Sequence, residues 1–245
     1  MGETIMRTAL VTGADRGLGY CIAKELATKG WRVFAGKYLE DYGLLGLLKE
    51  KYPEVYPVKL DTSNHEDMKR VKEIIEEKVG SLDLLVSNAA VMMGEDTDVV
   101  APFRAVDFES MSRFFMTNSY AAPLLVDTLL PLFKKSDYRR LFFTSSEISS
   151  IRLMERTGSM RYAMTKSALN LGVRMIYNSL RSEGFTFRLY QPGWMKHMNA
   201  DGTLRDGALI DPADSAREAV RQILEERPDE DRLVLVDYLG RELSF

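Results

Sequence analysis

Tyr162 and Lys166 stand four residues apart in Tyr162-Ala163-Met164-Thr165-Lys166, a spacing that on a helix puts a phenol and an ammonium on one face, one turn apart. The pair suits a proton donor and the cation that tunes it. A phenol with a pKa near ~10 exchanges protons poorly at neutral pH, and lowering it by about three units takes roughly 4 kcal/mol. One unit charge about 4 Å away supplies nearly that much at an effective dielectric near ~20. The same spacing recurs at Tyr20 and Lys24, so position must discriminate. Tyr162 follows the apolar run Leu141-Phe142-Phe143, which ends in the hydroxyls Thr144-Ser145-Ser146. In an open α/β sheet the ligand lies beyond the carboxyl ends of the strands, so a serine there can polarise a substrate carbonyl. Ser149 and Ser150 follow shortly, and position alone does not separate them from Ser145 and Ser146. Asn118, inside an apolar helical stretch, is a buried amide that needs a partner.

A second stretch with chemical content is Thr12-Gly13-Ala14-Asp15-Arg16-Gly17-Leu18-Gly19, set after the apolar run Thr8-Ala9-Leu10-Val11 and before a helical pattern over 20–30. A strand that turns through glycines into a helix presents unpaired backbone N–H groups at the helix N-terminus, where a pyrophosphate docks. Glycine there serves unusual dihedrals, close approach of backbone to phosphate, and tight packing of helix on strand. The strand–turn–helix context, more than the glycines themselves, predicts a dinucleotide site. Asn88-Ala89-Ala90 forms a second strand end whose small residues admit a cofactor.

These groups need a sheet to hold them. Short apolar runs at 7–11, 32–36, 55–60, 82–87, 140–144, 185–190 and 233–236 alternate with amphipathic stretches. The alternation predicts an α/β, Rossmann-like doubly wound sandwich: a central, mostly parallel seven-stranded sheet with helices on both faces. Ser63-Asn64-His65-Glu66 reads as a helix cap, and Asp211-Pro212 opens a helix running through 214–226. Two long helical segments are expected near 107–135 and 159–183, with a loop over the sheet edge at 94–106.

At 245 residues, 45% of them apolar, the chain can bury one sizeable core, and residues 1–245 read as one domain. A formal charge of −3 gives no broad basic field for nucleic acid and no polybasic patch for a membrane. The single cysteine, Cys21, excludes an internal disulfide and reads as a small buried hydrophobe, which fits a reducing compartment. No run reaches transmembrane length and no signal peptide precedes the first strand, so a cytoplasmic protein is expected. With two histidines, His65 and His197, and that one cysteine, a structural zinc or histidine-based metal site is all but excluded, whereas a carboxylate site for a hard cation is not.

Taken in order, Thr12-Gly13-x-x-x-Gly17-x-Gly19, Asp61, Asn88-Ala89-Ala90, Asn118, Ser146, Tyr162-x-x-x-Lys166 and Gln191-Pro192-Gly193 resemble the short-chain dehydrogenase/reductase family over 7–245. The stretch from Tyr162 to Asn170, Pro192-Gly193-Trp194 and the ending Asp237-Tyr238-Leu239-Gly240-Arg241-Glu242 are most similar to its carbonyl-reductase-like and C-factor-like branch. The resemblance implies that Tyr162 is general acid in reduction and base in oxidation. It implies further that Lys166 binds the nicotinamide ribose and depresses the tyrosine pKa, that Ser146 holds the substrate oxygen, and that Asn118 holds a water completing a proton relay. Ser146 is preferred because the branch places its serine this far before the tyrosine; the shorter gap found elsewhere in the family would select Ser149. The implied cofactor contacts are Gly13, Asp15, Arg16, Gly17, Leu18, Gly19, Lys37, Asp61, Thr62, Asn88, Ala89, Ala90, Tyr162, Lys166, Pro192, Gly193, Trp194 and Met195.

Charge bears on which nicotinamide cofactor is bound. Where an NAD-binding member carries an acid at the end of the second strand, this chain has Val33-Phe34-Ala35-Gly36-Lys37. Lys37 and Arg16 would face an adenosine 2′-phosphate, which favours NADP, with NAD second, although Asp15 and Glu40-Asp41 cancel part of that field. Where the family offers a threonine after Pro-Gly, this chain has Lys196-His197-Met198; His197 could donate in its place, or the loop could be a mobile lid. Met92, Met93, Met154, Trp194, Met195 and Met198 suggest an apolar, adaptable substrate pocket. The expected function is hydride transfer between a nicotinamide cofactor and a carbonyl or alcohol on a small, largely apolar substrate. A dinucleotide-binding regulator with little turnover is the alternative. Family likeness implies a homodimer or homotetramer built through the two long central helices.

Overall fold

The computed structural model describes residues 6–40, 42–92, 108–156 and 158–245. Within them the apolar runs become β1 (Thr8–Val11), β2 (Arg32–Lys37), β3 (Val55–Lys59), β4 (Leu84–Ser87), β5 (Arg140–Thr144), β6 (Thr186–Gln191) and β7 (Leu235–Asp237). They pair in the order β3-β2-β1-β4-β5-β6-β7, every pair parallel. To the expected seven the structure adds β8 (Glu242–Leu243), antiparallel to β7, whose two residues are too few to leave a periodic signal. From β1 the chain moves outward to β3, then returns to lay β4 against the other side of β1. The order reverses there, opening a crevice at the carboxyl ends of β1 and β4. The loops beginning at Thr12 and Asn88 leave those two ends.

Both faces of the sheet are covered, so the strands read as continuous rather than alternating apolar runs. Ala9, Val11, Val33 and Phe142 pack under α1 (Gly17–Thr28), α2 (Leu44–Lys51) and α7 (Pro212–Leu224). Leu10, Leu85, Leu141 and Phe143 pack under α3 (His65–Lys78), α5 (Ala121–Phe133) and α6 (Met160–Leu180). Caps fall where the side chains call for them: Asn64 accepts the Glu66 N–H at 2.9 Å, and Asp211 accepts the Ala213 N–H at 2.7 Å with Pro212 in the first turn. Trp31 is buried in the first of these cores, edge-on to Tyr138 with ring centroids 5.6 Å apart.

The first long helical segment is interrupted. Between α4 (Phe108–Phe115) and α5 lies a π-helical turn, Met116–Tyr120, which carries Asn118. Such turns insert a residue and redirect side chains, frequently at functional sites. Asp107 and the expected loop 94–106 lie outside the described residues. At the opposite, amino-terminal end of the sheet, Arg188 and Arg140 cap the carbonyls ending α7. Arg188 donates to Gln222 O at 2.8 Å and Glu225 O at 2.6 Å, Arg140 donates to Ile223 O, and Arg188 pairs with both carboxylate oxygens of Glu230 at 2.8 and 2.6 Å.

Candidate active site

Three strand ends are clasped together around the glycine turn. Thr12 Oγ1 accepts the N–H groups of Asn88 and Ala89, both at 2.9 Å. Asn88 Nδ2 donates back to the carbonyls of Thr12 at 3.1 Å and Gly13 at 3.4 Å, while its Oδ1 accepts from Thr144 Oγ1 at 3.2 Å. β1, β4 and β5 are thereby tied at their carboxyl ends. The clasp leaves no space at two glycines. A Cβ on Gly19 would lie 2.1 Å from the Gly13 carbonyl oxygen and 2.6 Å from Asn88 Nδ2, and one on Gly13, at φ +61°, would lie 2.9 Å from Ala89 Cα. Leu18 is buried behind the turn. This close-packed turn opening into α1 is the cradle a dinucleotide pyrophosphate requires, so the residues fit the cofactor the motif implies.

The catalytic candidates gather beyond β5. Lys166 is buried and donates to the Thr144 carbonyl at 2.8 Å, its Nζ 5.6 Å from the centre of the Tyr162 ring. Burial brings its pKa down to about 8 and pushes the Tyr162 phenol up. Ser146 is half-buried; its Oγ accepts a long bond of 3.4 Å from Ile148 N–H and, among the described residues, donates its own proton to none. Ser149 is differently placed. Its hydroxyl donates to the Ser146 carbonyl at 2.5 Å and accepts from Asn170 Nδ2 at 2.7 Å, in a buried network that also binds Ser145 Oγ to Asn170 Oδ1 at 2.6 Å. Asn118 holds the end of β4 to α6: its Oδ1 accepts Val91 N–H at 2.7 Å, and its Nδ2 donates to Val91 O at 2.8 Å and Thr165 Oγ1 at 3.2 Å.

The segment after β6 closes over the glycine turn. Pro192 O accepts from Ser215 Oγ at 2.9 Å, and a side chain on Gly193 would run into Ile210 and Tyr238. From there the chain folds on itself. Met195 bridges to Ile210 and Met198 to Leu204, with Lys196 N–H on Ile210 O at 2.8 Å and Arg205 N–H on His197 O at 2.9 Å. Met198 is buried, and its Sδ accepts the Gly17 N–H at 3.3 Å, the first amide of α1. Trp194, by contrast, is 66% exposed. Burial, then Arg16 and Arg205 nearby, hold the His197 pKa below its usual value. At the far end of the crevice Asp15 is buried, its Oδ1 accepting Tyr38 N–H at 2.5 Å and Leu39 N–H at 3.3 Å. Asp15 therefore shapes the loop after β2 rather than merely cancelling charge. Lys37 pairs with Glu40 at 2.7 Å, and Arg16 donates to Tyr42 Oη at 2.6 Å. Asp61 accepts from Ser63 N–H and Oγ at 2.8 and 2.7 Å, and Thr62 is buried beside it.

Residues 7–207 match the sequence profile described as short chain dehydrogenase. The chain belongs to the short chain dehydrogenase family. It is accordingly an NAD(P)-dependent oxidoreductase that acts on a small molecule. Among proteins similar to this dehydrogenase, C-signal of Myxococcus xanthus is 30% identical over 166 residues, covering 68% of this chain and 94% of that one. Diacetyl reductase [(S)-acetoin forming] of Staphylococcus epidermidis is 26% identical over 196 residues, covering 78% and 72%. A carbonyl reductase from Pseudomonas aeruginosa PAO1, solved in complex with NADP, superposes with a TM-score of 0.77 at 25% identity, over 98% of this chain and all of that one.

Several contacts around the candidate site escape sequence reading. Thr12 stands in the motif, yet only the fold reveals that its hydroxyl serves Asn88 and Ala89. Asn170 continues the helical stripe from Tyr162 and Lys166 at the same four-residue step, a signal that was available in the spacing. Met198 reads as a pocket methionine, but its contact with the Gly17 N–H gives no signal, because it joins segments 181 residues apart. Of the methionines expected around the pocket, Met92 is 60% exposed and Met93 lies outside the described residues, as does Asp41. Ala90 is exposed at the rim of the crevice.

Proposed function

We propose that this dehydrogenase reduces the carbonyl of a small, largely apolar substrate, or oxidises the matching alcohol, with NADPH favoured over NADH. The observation that carries the reading is the placement of Ser146, Tyr162 and Lys166 at the carboxyl end of β5, with Ser146 keeping a free proton while Ser149 is consumed in packing. In this reading Ser146 Oγ donates to the substrate oxygen, Tyr162 gives that oxygen its proton, and Lys166 carries the positive charge that makes the transfer feasible. Asn118 spends its side chain on Val91 and Thr165, so the water of a proton relay would rest on its backbone carbonyl, in the π-helical turn. A bound nicotinamide supplies or accepts the hydride. The glycine turn with Asn88 and Ala89 would hold the pyrophosphate side, Asp61 and Thr62 the adenine side, and Lys166, Pro192, Gly193, Trp194 and Met195 the nicotinamide side.

The preference for NADPH is supported by the lysine that ends β2, by Arg16 on the turn, and by the NADP complex of the Pseudomonas carbonyl reductase. The partners of Lys37 and Arg16 are exposed surface groups that a phosphate dianion can displace. One sheet with a core on each face supports residues 1–245 as a single domain. Exposed Met164, Leu171 and Met175 on α6 support a homo-oligomer assembled through that helix. The likeness to C-signal favours a second reading, a dinucleotide-binding regulator with little turnover.

Absorbance-monitored oxidation of NADPH against aldehydes, ketones and diketones tests both readings. Tyr162→Phe is expected to cut kcat/KM by about 10³-fold while NADPH affinity stays within about threefold. Lys37→Ala is expected to weaken NADPH about tenfold and NADH no more than about twofold. Wild-type turnover in the tyrosine variant sinks the mechanism. Equal losses for both cofactors sink the 2′-phosphate assignment, and tight binding without turnover across the panel shifts the weight to the regulator.

A further inference from the structure

Gln191 ends β6 at 7% exposure, and its Oε1 is buried with no hydrogen-bond partner among the described residues. Its Nε2 donates to Glu147 Oε2 at 3.3 Å. That bond fixes the amide, because exchanging its two ends would set an oxygen against the carboxylate. Buried acceptors in proteins are almost always paired, so the orphan oxygen marks a place where a donor arrives from outside the chain.

The place adjoins the end of β5 that leads into Ser146. β5 and β6 pair as Phe143↔Leu189 and Thr144↔Tyr190, and Ser145 N–H continues the ladder to Tyr190 O at 2.7 Å, which sets Gln191 beside Ser145. Leu189 packs in the α5/α6 core, and Gln191, two residues on, projects from the same face toward Glu147. Glu147 directly follows Ser146, and its side chain is 46% exposed, with Oε1 paired to the exposed Arg156 at 2.6 Å. Gln191 is thus the ladder neighbour of Ser145, and its amide partner Glu147 is the chain neighbour of Ser146, the serine proposed to hold the substrate carbonyl.

We propose that Gln191 is a specificity-determining residue, whose Oε1, with the Glu147 carboxylate beside it, accepts hydrogen bonds from a hydroxyl on the carbon next to the reacting carbonyl. The substrate class is then the small α-hydroxy ketone or α-hydroxy aldehyde. This inference rests on the reading of Ser146 and Tyr162 as the carbonyl-activating pair. A site built to pair a substrate hydroxyl discriminates against the analogue that lacks it, because the protein acceptor is then left buried and unpaired.

Hydroxyacetone and 2-butanone, which differ by a hydroxyl in place of a methyl, make the test. With NADPH the wild-type protein is expected to show kcat/KM at least about tenfold higher for hydroxyacetone. Gln191→Met, similar in volume without the acceptor, is expected to bring the ratio toward one through KM for hydroxyacetone, with butanone reduction held within about twofold, which also reports an intact fold. Glu147→Gln, on the exposed side of the pair, lowers the same ratio by a smaller factor. Saturation-transfer NMR reads the contact without turnover: the hydroxyacetone signal drops in Gln191→Met. A wild-type ratio near one, or a ratio and NMR signal unchanged in Gln191→Met, overturns the proposal alone when Tyr162→Phe still abolishes butanone reduction, and assigns the orphan oxygen to a buried water. Absence of turnover on every carbonyl of the panel overturns the carbonyl-activating reading and this inference with it.

Discussion

At Lys166 two opposed physical effects meet, and burial wins. An ammonium about 4 Å from the phenol oxygen would nearly offset the cost of ionising Tyr162; in the structure the ammonium lies 5.6 Å from the ring centre and directs a proton to Thr144 O. Burial then raises the tyrosine and lowers the lysine to about 8. A protonated phenol is the form reduction needs, so the charge on Lys166 is the group expected to limit activity at high pH. In the reductive direction kcat/KM should hold steady from about pH 6 to about pH 8 and decline above it, and Lys166→Arg, if active, should lose the decline because its guanidinium stays charged. A profile flat to pH 10 in the wild type would remove Lys166 from this role. Deprotonation of Lys166 does not itself destabilise the fold, since above its folded pKa of about 8 and up to its ordinary value of 10.5 this lysine binds fewer protons folded than unfolded, and its contribution to stability rises with pH. The Tyr162–Lys166 pair was legible from its spacing together with its position behind the hydroxyls that end β5; its balance of charge against burial was not, because that depends on what surrounds both groups.

Elements differ in how plainly the sequence announces them. The parallel strands are apolar runs bounded by turn residues, and the caps of α3 and α7 are single side chains with local duties, so both are written in short windows. The π-helical turn is not, since Met116-Thr117-Asn118-Ser119-Tyr120 keeps a helical pattern and the inserted residue is fixed by Asn118 reaching Val91 and Thr165. The segment after Gly193, expected either to supply a donor or to act as a mobile lid, folds into paired stretches that bring Met198 onto Gly17 N–H. A thioether is a weak acceptor, so a phosphate would displace it, but only by moving the segment. Met198→Ala is therefore expected to tighten NADPH binding about three- to tenfold in calorimetric titration, by removing the competing contact. Unchanged or weaker binding would mean that the closed segment and the cofactor do not compete.

Across the whole molecule the two ends of the sheet do different work. The carboxyl end collects the glycine turn, the hydroxyls and the Tyr–Lys pair, while the amino end is locked by Arg188, 1% exposed, against Glu230 and the carbonyls that end α7. Removing one partner of a buried ion pair leaves an uncompensated charge and typically costs about 3–5 kcal/mol. Glu230→Ala should fall at about 3 kcal/mol, the low end, because the helix carbonyls continue to accept from Arg188, and urea unfolding measures it. A loss within about 0.5 kcal/mol would show that those carbonyls hold the arginine unaided. Since the damage lies at the end remote from the crevice, turnover per folded molecule should be unchanged. The chain's two tryptophans divide along similar lines: Trp31 is sealed at 7% exposure against Tyr138, and Trp194 stands 66% exposed on the segment that carries Met198. Intrinsic fluorescence thus contains one buried emitter and one solvent-facing emitter on that segment. Acrylamide quenching of that second component follows the segment's position in the unlabelled protein, and Trp194→Phe identifies its share of the signal.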